Sequence, residues 1–281
     1  MSKIKITCDS TGDLTHELYQ QYQIRMIPLG ISLDDVLYND GVDLAASDIF
    51  SFVERTGRLP KTSSPSIGTY MDVFESYLNQ GFQVIHISLS SELSSSYQNA
   101  CAAAAELGNV FVVDSRSLSS ASGLLAIAAA EMAEEELLAV QIVNRLNELK
   151  THLECTFIIQ TLDYLHKGGR CPGVAALGAN LLKLRPEIIM SDGSMHVGRK
   201  FRGTGLKTQL AYIRSRLEGR TDIRDNRIIL VSAGVSKEDL DAMRSLVREL
   251  QPDAKILETL AGCTISSHCG PNCMGLMFLT E

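Results

Sequence analysis

No dense block of lysine and arginine occurs in the 281 residues, and the net charge is −7. That balance argues against a nucleic-acid groove or an anionic membrane surface as the main partner. A long hydrophobic run is missing as well. The most apolar stretch, residues 122–133 (SGLLAIAAAEMA), is about half a membrane span and runs into Glu134-Glu135-Glu136, so a buried helix is expected there. The opening MSKIKITCDSTGDL turns polar within a few residues and does not read as a secretory signal, which makes a cytoplasmic location the expectation.

Several catalytic signatures are also absent. No G-x-S-x-G elbow is present, which weakens a hydrolase of the α/β-hydrolase type. No G-x-G-x-x-G follows the first apolar strand, so a dinucleotide fold lacks its fingerprint. The stretch from Gly198 to Thr208 (GRKFRGTGLKT) superficially resembles a phosphate loop, but its lysine does not directly follow the glycine. Arg199, Lys200 and Arg202 in that stretch read equally as a solvated basic surface or as a docking patch for an acidic partner. There is no internal repeat or low-complexity linker.

Cysteine is present in an odd number, seven, with Cys8, Cys101, Cys155 and Cys171 widely scattered. Such thiols are expected to be reduced and mostly small core residues. Only Cys263, Cys269 and Cys273 cluster, in and just before residues 264–275 (TISSHCGPNCMG), around His268. A structural zinc site favours two paired knuckles, and the second pair is missing. His268 and Cys269 are adjacent, so their side chains tend to diverge. No metal and no cofactor are expected. A serine activated by His268, read as a loop histidine, remains open.

What the chain does have is enough apolar content for a sizeable core: 45% of residues are hydrophobic and 21% charged. The length suits one large or two medium domains. Strands are expected at Lys3–Cys8, across Ile24–Leu33 with a break at Pro28, at Gln83–Ser88 and at Val110–Val113. Helices are expected at Leu14–Tyr22, Ser47–Glu54 (capped by Ser47), Thr69–Asn79, Ser96–Leu107, Gly123–Glu136 and Ala139–Thr151, with a loop over Lys61–Gly68. Strands alternating with helices predict a parallel α/β sheet, where ligands bind at the carboxyl ends of strands. Four loops of that kind carry hydroxyls or acids: Asp9-Ser10-Thr11, Thr62-Ser63-Ser64, Ser90-Ser91 with Ser94–Ser96, and Asp114-Ser115. Any one of them could be simple helix capping.

Beyond Thr156 the pattern changes to hairpins mixed with helices, including a turn at Asp192-Gly193 and a helix near Ala175–Leu184. This suggests a mixed sheet. The fold class expected is therefore α/β with two domains: a parallel-sheet N-terminal domain over 1–155 and a mixed-sheet α/β C-terminal domain over 156–281.

One ordered series of short motifs spans nearly the whole chain. It comprises Asp9-Ser10-Thr11-Gly12-Asp13-Leu14, Lys61-Thr62-Ser63-Ser64-Pro65-Ser66, Ser90-Ser91-Glu92-Leu93-Ser94, Val113-Asp114-Ser115, Lys167-Gly168-Gly169-Arg170 and Ser267-His268-Cys269-Gly270-Pro271. Each is weak alone, but in this order they resemble the DegV family. The resemblance implies a binding protein with no turnover of its own, holding one long-chain fatty acid in a tunnel between two domains. It further implies that the bound carboxylate is presented to a separate ATP-dependent fatty-acid kinase subunit, giving acyl-phosphate for phospholipid synthesis, with only transient membrane contact and no nucleic acid. By position, Thr62, Ser94 and His268 are implied to hold the carboxylate, Arg170 to lie near the head group and Arg202 to dock the kinase. The alternative is a Ser/His-dependent hydrolase of acyl esters. The family's loop usually reads Gly-Pro-Gly after the histidine, whereas this chain has Gly270-Pro271-Asn272. Asn tolerates a left-handed backbone, so the turn is expected to close.

Overall fold

Lysine and isoleucine alternate from Lys3 to Ile6 and lead into Thr7-Cys8, which makes Lys3–Asp9 a strand that is buried at its carboxyl end. This strand, β1, sits at the centre of a parallel sheet in the computed structural model, which describes residues 3–175 and 184–281. A 3₁₀ turn at Ser10–Gly12 leads to α1 (His16–Gln21), whose first turn is capped by the Thr15 hydroxyl accepting from the Leu18 N–H at 3.3 Å. β2 (Arg25–Ile27) then pairs parallel to β1, with Cys8 opposite Met26.

Pro28 ends that strand, and the chain leaves the sheet. β3 (Gly30–Leu33), β4 (Val36–Asn39) and β5 (Lys61–Ser63) form a separate three-stranded antiparallel sheet in the order β4-β3-β5. The segment expected as a loop over Lys61–Gly68 therefore begins as a strand. Its three residues are too few and too polar to show alternation, and pairing with β3 supplies what propensity does not. α2 (Ala46–Thr56) connects β4 to β5; it starts at Ala45, whose N–H donates to the Asp48 carboxylate at 2.8 Å, and Ser47 lies inside it rather than capping it.

α3 (Ile67–Leu78, capped by Ser66), β6 (Phe82–Ser88), α4 (Ser96–Leu107) and β7 (Val110–Asp114) complete the parallel sheet in the order β2-β1-β6-β7. α5 (Ser119–Glu134), the apolar run noted above, is buried over most of its length, and α6 (Ala139–Leu149) packs beside it.

From Leu153 onward, β8 (Leu153–Ile158) enters a second, mixed sheet. α7 (Asp163–Gly168) and a one-turn helix α8 (Pro172–Ala175) follow. The helix expected near Ala175–Leu184 lies almost wholly outside the described residues; Leu184 opens β9 (Leu184–Ser191). β9 turns through Asp192-Gly193 into β10 (Ser194–Arg202), as the hairpin signal predicts. Then come α9 (Leu206–Leu217), β11 (Arg227–Ala233), α10 (Lys237–Leu250), β12 (Lys255–Leu260), α11 (Cys263–Cys269) and β13 (Cys273–Leu279). The sheet order is β10-β9-β8-β13-β11-β12, with β11 and β12 parallel and the other pairs antiparallel. One apolar cluster draws on both sheets: Leu29, Leu89 and Leu118 meet Phe157, Val231 and Met277. The cavity described next opens within this cluster.

Candidate functional site

The acidic and hydroxyl residues after the parallel strands do not cap helices. Asp9, fully buried at the end of β1, accepts from the Tyr70 hydroxyl at 2.6 Å, the Ser88 hydroxyl at 2.9 Å and the Leu89 N–H at 2.8 Å. Burial would raise its pKa, but neighbouring His86, Tyr70 and the Leu89 amide outweigh that and hold it below the ordinary value. Asp114 accepts from the Ser91 hydroxyl at 2.6 Å and the Arg116 N–H at 2.9 Å. These carboxylates fix the loops after β6 and β7, so that the Ser90–Ser94 loop holds one shape.

That loop forms one wall of a cavity of about 530 Å³, within the ~300–1,000 Å³ range of pockets that hold small organic ligands. Thr62 from β5, Ser94 from the loop after β6, and His268 from α11 all line it, and so does Arg170 after α7. Leu29, Leu118, Phe157, Val231, Ala261 and Met277 line its apolar remainder. Two of the four motif regions singled out as ligand-binding loops, Thr62-Ser63-Ser64 and the serines after β6, contribute to this one space, although Thr62 does so from an antiparallel strand and not from a parallel-strand end.

His268 is carried on a helix and not on a loop, which corrects the expectation from the Gly-Pro sequence around it. Its Nε2 lies 3.0 Å from Thr62 Oγ1. Its Nδ1 is buried without a partner among the described residues, packed against Gly168, where any side chain would collide with the ring. Burial, and secondarily the positive charge of Arg170, pull the imidazole down to about 4, so it is neutral at neutral pH. Arg170 itself is exposed at the rim, its Nη1 donating to the Gly168 carbonyl at 2.7 Å. Ser94 Oγ lies 3.0 Å from Ser96 Oγ and accepts from the Ser96 N–H at 3.2 Å. The result is a set of neutral hydrogen-bonding groups in the lining of a largely apolar space, with the Arg170 guanidinium at its edge. Such a set satisfies an anionic head group without a fixed ion pair.

Arg202 is not part of this cluster. It is exposed at the end of the edge strand β10, opposite Leu184. The cysteines divide in the same way. The Cys263 thiol donates to the Leu44 carbonyl at 3.2 Å in one apolar cluster, while Cys269 and Cys273 lie together in another. Among the described residues no group of three or more His, Cys, Asp or Glu side chains is placed to hold a metal ion.

Two carboxylates that the sequence did not single out position α11. Asp13 Oδ1 accepts the Gly262 N–H at 2.9 Å, and Asp40 Oδ1 accepts the Cys263 N–H at 2.7 Å. Both are buried, and burial pushes the Asp13 carboxyl well above its usual range, with Asp40 adding to the rise against the Ser119 and Gly262 hydrogen bonds. At the other end of α11, Gly270 and Asn272 both take left-handed backbone, at φ 74° and 57°. The turn closes with Asn in the place of glycine, and the Asn272 carbonyl accepts from Gln209 at 2.9 Å. Asp13 lay inside a quoted motif, so its position was a visible signal; Asp40 had none.

The model of the family described as "Uncharacterised protein, DegV family" matches residues 3–281. The chain belongs to the DegV family. A DegV domain-containing protein of Clostridium perfringens is 30% identical over 284 residues, which cover 100% of both chains. Among solved structures, a DegV family protein from Thermus thermophilus, described by its fatty-acid binding, superposes with a TM-score of 0.88 at 28% identity over 100% of each chain. A stearic acid-binding protein from Eubacterium ventriosum gives a TM-score of 0.87 at 29% identity, over 100% of this chain and 98% of that one. The mixed α/β architecture is thus the DegV fold, and the motif series from Asp9 to Pro271 is its trace in this DegV-family sequence. Among the described residues no helix is long and apolar enough to cross a membrane.

Proposed function

We propose that the chain carries one long-chain fatty acid, with its carboxylate held by Thr62, Ser94 and His268 and its tail in the apolar part of the cavity. The observation that carries this reading is that Thr62 and His268, 3.0 Å apart, and Ser94 line one cavity together with aliphatic and aromatic side chains. At roughly 0.8 kcal/mol per buried CH₂, the tail supplies most of the binding energy. The DegV family protein of Thermus thermophilus, described by its fatty-acid binding, and the stearic acid-binding protein of Eubacterium ventriosum support the same ligand class here.

The finer reading is that the chain is a carrier without turnover of its own. It comprises two domains, 1–155 and 156–281, with the ligand tunnel between them, and works in the cytoplasm with transient membrane contact. It presents the carboxylate to a separate ATP-dependent kinase subunit, Arg170 orienting the head group and Arg202 docking the partner. Support comes from the chemistry of the donors. A carboxylate held by hydroxyls and a neutral imidazole keeps its nucleophilic lone pairs, whereas a fixed ion pair would bind them. The Ser/His hydrolase alternative is poorly served by the same residues. His268 bonds a threonine rather than a serine, no carboxylate orients its Nδ1, and a pKa of about 4 makes it a weak general base at neutral pH.

Thr62→Val and His268→Ala should each weaken fatty-acid binding at least about tenfold, the loss expected for a charge-assisted hydrogen bond. Arg202→Glu should leave that binding intact and reduce acyl-phosphate formation by a cognate kinase. Unchanged binding in both head-group variants, measured by displacement of a fluorescent fatty acid, would overturn the site assignment.

A further inference from the structure

The loop that carries Ser94 is held from the mixed sheet as well as from the parallel one. Ser91, Glu92, Leu93 and Ser94 all line the cavity. Ser90, fully buried, is the pivot beneath them: its carbonyl accepts from the Leu93 N–H at 3.0 Å and the Ser94 N–H at 3.3 Å. Its own N–H donates to the Ser117 carbonyl at 3.0 Å. Its hydroxyl donates at 2.7 Å to the carbonyl of Gly193, in the turn between β9 and β10. One residue thus joins the loop of Ser94 to a hairpin of the other sheet.

Arg116, in the loop after β7, closes over the same turn. Its Nη2 donates to the Asp192 carbonyl, while Nη1 donates to the Glu92 carboxylate at 3.0 Å and to the Ser91 hydroxyl at 3.3 Å. The planar fork of a guanidinium serves both sides at once, which a lysine ammonium does not match. Arg116 takes left-handed backbone, φ 52°. A residue with a side chain keeps that conformation only where its surroundings over-determine it, and such positions gather at functional sites. The seat is tight: a side chain at Gly193 would meet both the Arg116 guanidinium and the Ser90 hydroxyl. Two residues beyond the turn, Met195 lines the cavity.

Ser90 and Arg116 are not among the described residues that line the cavity, so neither meets a ligand directly. We propose that they are positioning residues: together they seat the Asp192-Gly193 turn against the loop after β6 and so fix Ser94 where it receives the carboxylate. The proposal rests on the carrier reading and ties its head-group recognition to the β9–β10 hairpin. Without the guanidinium, the turn loses an anchor and the Ser91–Glu92 stretch loses its tie to the turn. Ser94, two residues further on, then spreads over several positions, and its hydroxyl is no longer pre-set to donate to a carboxylate.

The test uses the full chain stripped of lipid and two ligands with the same tail, hexadecanoic acid and hexadecan-1-ol. Arg116→Met, which keeps the length of the side chain and loses the fork, should weaken binding of the acid about tenfold, the loss of one charge-assisted hydrogen bond. Binding of the alcohol should fall by no more than about threefold, because it has no charge for Ser94 to meet. Ser90→Ala removes the donor to Gly193 and should give the same pattern, so the answer does not hang on the folding of one variant. Ser94→Ala should also weaken the acid about tenfold, and adding Arg116→Met to it should cost no more than about a further twofold, since Arg116 acts through Ser94. The proposal is overturned if Arg116→Met or Ser90→Ala binds the acid as the unaltered chain does, if acid and alcohol weaken equally, or if the losses of Arg116→Met and Ser94→Ala add in full. Those results leave the carrier reading standing. Failure of the unaltered chain to bind hexadecanoic acid would overturn that reading and the positioning role with it.

Discussion

At the scale of single residues, His268 is where burial, geometry and charge meet. Its folded pKa, about 4, lies below the ordinary 6.5, so as pH falls the unfolded chain takes up the proton first. The stabilisation from keeping the ring neutral is complete above about 6.5 and is lost progressively down to about 4. The whole effect is at most about 3 kcal/mol. Chemical denaturation between these pH values should show stability falling towards acid, with a shallower fall in His268→Gln. Parallel curves for the two proteins would mean that the ring is not protected from protonation. His268, Thr62 and Ser94 were legible in the sequence because each sits in a short motif whose order along the chain is characteristic. Asp40 was not. A buried carboxylate that accepts one backbone N–H looks, in one dimension, like any other polar residue.

Among the elements, the close meeting of α5 with the turn after β1 carries the most consequence for the site. A side chain at Gly123 would strike the Gly12 carbonyl and the Leu14 side chain, so glycine at this position lets the helix lie against the Ser10–Gly12 turn. That contact places Ser119 and Ser120 beside Asp13; both hydroxyls bond it, through its carboxylate and its carbonyl. Gly123→Ala should destabilise the chain by about 1–3 kcal/mol, because backbone cannot give way as a flexible side chain can. A lowered urea midpoint would register the loss, and an unchanged midpoint would show that α5 has room to move. Long, strongly patterned elements were readable: α4 falls on the expected residues, Ser96–Leu107. β4 and β5 were not, since a run of only three or four residues shows no clear alternation and forms a strand only when a partner is already in place. α11 was misjudged as a loop because Gly270 and Pro271 follow it closely; they end the helix without preventing it.

Over the whole molecule, the parallel sheet, the small antiparallel sheet and the mixed sheet converge on one cavity that Thr62, Ser94 and His268 line. β5 brings Thr62, the loop after β6 brings Ser94 and α11 brings His268, from points 206 residues apart between the first and last. The alternation of strands and helices and the change to hairpins beyond Thr156 were enough to give the architecture. The cavity itself was beyond sequence reasoning, because an apolar residue facing a tunnel and one facing a core have the same pattern. Ligand that binds the folded chain alone must also stabilise it, by about 2.7 kcal/mol at a hundredfold excess over the dissociation constant. The most direct test of the proposed carrier function is native mass spectrometry of the protein purified without added lipid, followed by identification of what denaturation releases. One fatty acid per chain, lost in Thr62→Val and His268→Ala, is the expected result. A chain that emerges empty and fails to take up added fatty acid would contradict it.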